Sequence, residues 1–192
     1  MKNNNVLNKK IFQLKISLDN SNPLIWRRVH VPTNMTLRGL HRVIQTLFTW
    51  NSYHLYYFGV GEDRYGDLEF DEYGEMGWLN DQNKRLPSIY EKDKSFKYIY
   101  DLGDNWRHTV KIEAVLDPEK DEKYPLCIGG ENPAPPDDCG GIRGFYNLLN
   151  TISDDSDEEA LSSRIWLDSM NYDEIFDVTL INKLLRYRKA IR

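Results

Sequence analysis

The stretch YDLGDNWRHTVKIE, Tyr100 to Glu113, sets Asp101, Asp104 and His108 close together around a turn-forming Gly-Asp-Asn. Two carboxylates beside an imidazole are the groups of acid–base catalysis. Joined by His54 and Asp138, they form a set that a metal-dependent or acid–base hydrolase could use, provided that His54, Asp101, Asp104, His108 and Asp138 converge in one cleft. The same residues also have a plainer account. Asp101 and Asp104 flank Gly103 and suit the N–H groups of a turn, and alternation puts Trp106, His108, Val110 and Ile112 on one strand face. That makes His108 a hydrogen-bonded core residue and the whole stretch a hairpin first. No serine or cysteine sits in a GxSxG elbow, so no catalytic residue is expected.

A metal shell would be drawn from His54, His108, Cys127 and Cys139, since imidazole and thiolate together suit zinc. Eleven residues separate the two cysteines, with neither close CxxC pairing nor a nearby histidine pair. The expectation is therefore no metal, with both thiols packed as small buried hydrophobes. CIGGEN lacks the spacing and lysine of a phosphate-binding loop, and no cofactor is expected. PPDDCGG is more pointed: a proline-stiffened loop offers Asp137, Asp138 and a thiol. It reads equally as a binding site and as a loop whose aspartates cap the next helix.

Charge is segregated along the chain. Between Asn20 and Gly61 there is no Asp or Glu, while Arg27, Arg28, Arg38 and Arg42 give +4, with His30 and His41 besides. Seven acids follow (Glu62, Asp63, Asp67, Glu69, Asp71, Glu72, Glu75) against Arg64, and the end is basic again at Lys183, Arg186, Arg188, Lys189 and Arg192. Such stripes either neutralise one another within the fold or present a phosphate-facing patch.

Those residues need elements to hold them. Phe12, Leu14, Ile16 and Leu18 alternate with polar residues, and Ile25, Arg27, Val29 and Val31 alternate with Trp26, Arg28 and His30, which predicts an antiparallel hairpin across the turn formers DNSNP. Leu37, Leu40, Val43, Ile44, Leu47 and Phe48 recur at spacings of three and four, an amphipathic helix with Thr33 or Thr36 as N-cap. SYHLYYFGV is dense enough in aromatic and apolar residues for a central strand. Residues 62–75 read as an exposed excursion carrying a short strand. SFKYIYDL and WRHTVKIEAVL flank GDN as a second hairpin, with Gly103 and Asn105 taking the positive φ. YPLCIGGENPAPPDDCGGIRG, rich in Pro and Gly, reads as an ordered loop rather than a strand. FYNLLNTI, DEEALSSRIWL and EIFDVTLINKLLRYRKAIR carry helical spacing, with the acidic DDSDEE suited to a helix N-terminus. The sum is an α+β fold: an antiparallel or mixed sheet roll, β-grasp-like in its order of hairpin, helix and strands, with added C-terminal helices.

With 192 residues and 40% apolar content the chain suits one domain, 1–192, with a core over about 11–149 and a C-terminal helical segment over about 157–192 packed on it. A net charge of -5 and a pI near 5.4 argue against a general nucleic-acid coat. No run approaches a membrane span, the opening MKNNNVLNKK lacks a signal-peptide core, and two cysteines make no disulfide scaffold. A cytoplasmic protein without membrane contact is expected.

The strings IWRRVHVPTNMTLRGLHRVIQTLFTW, HLYYF, YDLGDNWRHTVKIE and PAPPDDCGGIRGFYNLL, in that order over about Phe12 to Leu149, together resemble the plasmid pRiA4b ORF-3-like family of prokaryotes. The resemblance implies an α+β fold and no established activity. Some relatives are insertion-sequence passenger proteins with a resolvase-like label, but this chain has neither a serine flanked by the arginines of a serine recombinase nor a helix-turn-helix. Where many relatives read His-Leu-His, this chain has His54, Leu55 and Tyr56. Where many read Cys-Pro-Pro-Glu-Asp, it has Ala134, Pro135, Pro136, Asp137 and Asp138. The expected function is a non-catalytic binding module. It would dock an unidentified protein or nucleic-acid partner through Arg27, Arg28, Arg38, Arg42, Asp137 and Asp138, with mobile-element or nucleic-acid processes as its setting. The hydrolase is the alternative.

Overall fold

Phe12, Leu14, Ile16 and Leu18 all lie fully buried on one face of strand β1 (Ile11–Leu18), as their alternation requires. The computed structural model describes residues 9–71, 73–154 and 156–190, without the side chains of 188–190. Expectations resting on residues 1–8, Glu72, Asp155, Ile191 and Arg192, and on the side chains of Arg188 and Lys189, lie outside what is described. Strand β2 (Trp26–Pro32) pairs antiparallel with β1, setting Leu14 opposite Val29 and Ile16 opposite Arg27. Helix α1 (Leu37–Leu47) follows, and the Thr36 hydroxyl accepts from the Gly39 N–H as its cap. Its buried Leu37, Leu40, Val43, Ile44 and Leu47 close over the sheet, each contributing about 1.5–3 kcal/mol by leaving water.

The remaining strands are β3 (Tyr56–Val60), β4 (Asp63–Gly66), β5 (Leu79–Asn80), β6 (Ser95–Tyr100), β7 (Trp106–Leu116) and β8 (Leu126–Glu131). With β1 and β2 they form one eight-stranded sheet in the order β5-β4-β3-β6-β7-β1-β2-β8, antiparallel except for the β4–β5 pair. The acidic excursion thus carries β4 and a 3-10 turn at Leu68–Phe70. A short helix, α2 (Leu86–Tyr90), lies between β5 and β6. Helices α3 (Gly141–Ser153), α4 (Ala160–Ser169) and α5 (Val178–Ala190) complete an α+β architecture. Ile181 and Leu185 of α5 belong to the same buried cluster as the strand residues. No helix among the described residues is long and apolar enough to cross a membrane.

Two expectations are corrected. The Pro/Gly-rich segment after Tyr124 is not all loop, because Leu126–Glu131 adds an edge strand to β2, with a bulge at Arg28/Val29. Glycine is needed there: a Cβ on Gly130 would come within 2.8 Å of both the Trp26 carbonyl and the Phe176 ring. Asn182 of α5 covers the outer side of this strand, accepting from the Cys127 N–H and donating to its carbonyl. The last helix begins at Val178 rather than Glu174, because Asp177 caps it through the N–H groups of Thr179 and Leu180.

On the face covered by α1, the register lines up Phe58, Tyr98, His108 and Leu18 across β3, β6, β7 and β1. The next row, Tyr56, Tyr100 and Trp106, runs to the end of the sheet where β6 turns into β7. That end carries the candidate site.

Candidate functional site

Three segments meet at this end of the sheet: the link from α1 to β3 (49–55), the β6–β7 turn (101–105) and the PPDDCGG loop before α3. Each is fixed by hydrogen bonds that its sequence supplies. In the link, Trp50 N–H donates to the Gln45 carbonyl, while the Gln45 side-chain oxygen accepts from the N–H and hydroxyl of Ser52. The Gln45 amide in turn donates to the Tyr98 hydroxyl, which lies 2.9 Å from His41 Nδ1. Burial, followed by the charges of Arg38 and Arg42, lowers the His41 pKa to about 3, so the imidazole is neutral.

In the turn, Asp101 and Asn105 take positive φ, where Gly103 and Asn105 were expected. Asp and Asn tolerate that region better than most residues. The Asp101 N–H donates to the Leu55 carbonyl at 2.8 Å, tying the turn to the segment of His54. Asp101 Oδ1 accepts from the Gly103 N–H, an Asx turn that leaves Oδ2 for other work.

The loop is docked from both sides. The Trp50 indole donates to the Pro135 carbonyl at 2.8 Å, and Pro135, Pro136 and Asp137 are buried while Asp138 is exposed. Asp104 Oδ2 accepts from the Gly140 N–H at 3.1 Å. Beneath this bond the turn backbone passes so close to Gly141 that a Cβ there would lie 2.5 Å from the Asp104 carbonyl oxygen. The double glycine is thus a clamp between loop and turn.

The result gathers His54, Asp101 and Asp138. His54 Nε2 lies 3.1 Å from Asp138 Oδ1 and 3.8 Å from Asp101 Oδ2. One ligand atom from each of the three residues falls within 4.8 Å of the others, and among the described residues this is the His/Cys/Asp/Glu trio that does so. The 3.1 Å contact is not aligned as a hydrogen bond, and Nε2 is without a partner. Behind the trio, the Tyr100 hydroxyl and Asp137 Oδ1 are also buried and interact with each other without an aligned hydrogen bond, while Asp137 Oδ2 accepts a long 3.4 Å bond from the Asn51 N–H. Burial raises the Asp137 pKa; burial, then the Asp137 charge, raises that of the Tyr100 hydroxyl. Sequence reasoning did not mark Tyr100. Its only signal was its place directly before Asp101.

The other residues are placed differently. Asp104 points to Gly140 and not into the trio. His108 is fully buried with Nδ1 3.1 Å from the Trp106 carbonyl, and burial lowers its pKa to about 4. Cys127 is buried on β8 and its thiol contacts the Gly129 carbonyl. Burial and then the charge of Asp104 push the Cys139 thiol up to about 12, far from thiolate reactivity. His54, His108, Cys127 and Cys139 therefore do not assemble.

Nor do the arginines form one face. Arg27 is 2% exposed, with its guanidinium between the Phe48 and Phe176 rings, donating to the carbonyls of Leu47, Trp26 and Glu131. Arg28 makes a two-pronged pair with Glu113, and Arg38 bridges Asp81 and Asp67. Arg42 is exposed. The stripe is thus largely internal or neutralised, and a binding role for Arg27 conflicts with its burial. A cavity of about 340 Å³ lies away from the trio, near Met35, Gly39, Val43, Tyr124 and Leu185, and it is mainly apolar.

The family model of the plasmid pRiA4b ORF-3-like protein matches residues 10–182, and the chain belongs to this family. It is 33% identical over 165 residues to the uncharacterized protein y4hQ of Sinorhizobium fredii (strain NBRC 101917 / NGR234), covering 85% of this chain and 84% of that one. The crystal structure of a protein of unknown function, MM3350 from Methanosarcina mazei Go1, is similar with a TM-score of 0.78 and 32% identity. That match covers 88% of this chain and 96% of that chain.

Proposed function

We propose that this protein is a binding module whose working site is the cleft of His54, Asp101 and Asp138, rather than the basic hairpin–helix face. The observation behind this reading is the meeting of three segments, distant in sequence, that set an imidazole and two carboxylates within 4.8 Å. Asp138, with its side chain 62% exposed, makes the trio reachable from solvent. A site of this composition favours a cation, free or carried by a partner, while a phosphate backbone alone would meet two carboxylates. The metal-assisted or acid–base hydrolase is the second reading, favoured by the same convergence. It lacks the help of Asp104 and His108, which are engaged elsewhere.

A photo-crosslinker placed at Tyr53, exposed beside His54, tests the choice of face against one at Arg42. In the source cell, adducts form from Tyr53 and vanish with Asp101→Asn/Asp138→Asn, while Arg28→Glu/Arg42→Glu leaves them intact. Adducts that form only from position 42, or that survive loss of both carboxylates, contradict the reading.

A further inference from the structure

We propose that His54 Nε2, Asp101 Oδ2 and Asp138 Oδ1 are ligands of a divalent first-row transition cation. The inference rests on the reading of this cleft as the working site and adds the chemistry of what it holds. Donors at about 2.1 Å from one centre stand no more than about 4.2 Å apart. The separations of 3.1 and 3.8 Å from His54 Nε2 meet that limit, and all three donor atoms lie within 4.8 Å of one another. One imidazole nitrogen with two carboxylate oxygens suits Zn²⁺ or Mn²⁺ better than the all-oxygen shell that Ca²⁺ and Mg²⁺ prefer.

A simple ion pair between His54 and Asp138 explains less. Nε2 approaches the carboxylate closely yet without hydrogen-bond alignment, as expected of two donors directed at a common third centre. A second, independent observation comes from the residues behind. Tyr100 and Asp137 are 0% and 3% exposed, the Tyr100 hydroxyl and Asp137 Oδ1 interact with each other but without an aligned hydrogen bond, and each residue directly precedes one of the two carboxylate ligands. The Tyr100 ring stands edge-on to His54 at 5.8 Å. Buried polar groups are rarely left without well-aligned hydrogen bonds, and water molecules bound to a cation would supply the aligned partners this pair lacks. Three protein ligands leave positions open, so the cation can accept a further donor from a partner or a water molecule.

The protein stripped with chelator is titrated with Mn²⁺ and with Zn²⁺ by calorimetry. One equivalent binds; His54→Ala and Asp138→Asn each weaken it by about tenfold or more, and Cys127→Ser/Cys139→Ser leaves it unchanged. Absence of binding, or affinity indifferent to both His54→Ala and Asp138→Asn, overturns the proposal. A measurement on the wild type avoids dependence on the folding of variants: Mn²⁺ broadens amide resonances around residues 54, 101 and 138. Broadening centred on the acidic 62–75 segment instead would overturn it. If the cation fails while the Tyr53 adduct still requires Asp101 and Asp138, the cleft remains the site and only the cation falls. If both fail, both readings fall.

Discussion

Replacing Gly141 with alanine attacks the clamp that joins the two carboxylate-bearing loops. Gly141 sits at φ +68°, where an alanine costs about 1–2 kcal/mol. Its new Cβ would also stand 2.5 Å from the Asp104 carbonyl oxygen, well inside the 3.5–4 Å typical of favourable contacts. Turn and loop must separate by several tenths of an ångström or more, a strain of about 1–3 kcal/mol. Gly61 is the internal control, since it has φ +61° and nothing within 4 Å of a Cβ. The expected losses are therefore about 2–5 kcal/mol for Gly141→Ala and about 1–2 kcal/mol for Gly61→Ala. Urea denaturation of both variants measures the difference, provided that the slope with denaturant is unchanged. Equal losses would refute the clamp, because they would leave only the backbone cost that both positions share.

Acid should weaken the fold before its carboxylates titrate. His41 and His108 have folded pKa values lowered to about 3 and about 4, against 6.5 unfolded, so the unfolded chain gains protons first and stability falls with pH below 6.5. Each histidine costs about 1.4 kcal/mol per pH unit, or about 4 kcal/mol for the two at pH 5. Urea midpoints that are flat from pH 6.5 to 5 would contradict this. Arg27→Met should cost about 3–5 kcal/mol, since it leaves three carbonyls, that of Leu47 buried, without their donor, whereas Arg42→Glu should stay within about 0.5 kcal/mol. The same denaturation assay decides, and similar losses at the two positions would be the adverse result. Thr36→Ala should cost about 1 kcal/mol through the lost helix cap, and a thermal melt unchanged from wild type would deny the cap its role.

Period carried more information than composition. Alternation along β1 and β2 and the three-and-four spacing of α1 give the apolar core faces, although α1 also buries His41, Gln45 and Thr46, which apolar spacing did not mark. The same alternation set Arg27 with Ile25, Val29 and Val31 on the inward face, while its charge suggested a surface role. The inward face prevailed because three carbonyls and two aromatic rings accommodate the guanidinium. Strand β8 was illegible because Gly129 and Gly130 read locally as loop, and only pairing with β2, about a hundred residues earlier, makes them a strand.

The site divides in the same way. Asp104 and His108 share one string with Asp101, but turn geometry directs Asp104 to Gly140 and strand alternation sends His108 into the core. His54 meets Asp101 because Tyr56 pairs with Tyr100, a non-local register that spacing cannot reveal. Asp138 arrives through a loop fixed by the bond from Trp50 to Pro135.

A crystal of the protein soaked in Mn²⁺ and examined by anomalous diffraction tests the cleft most directly. The account predicts one strong peak between His54, Asp101 and Asp138, with the Tyr100 hydroxyl and Asp137 reached through ordered water. A cleft without a peak, with His54 and Asp138 closed on each other as an aligned hydrogen-bonded pair, would contradict it.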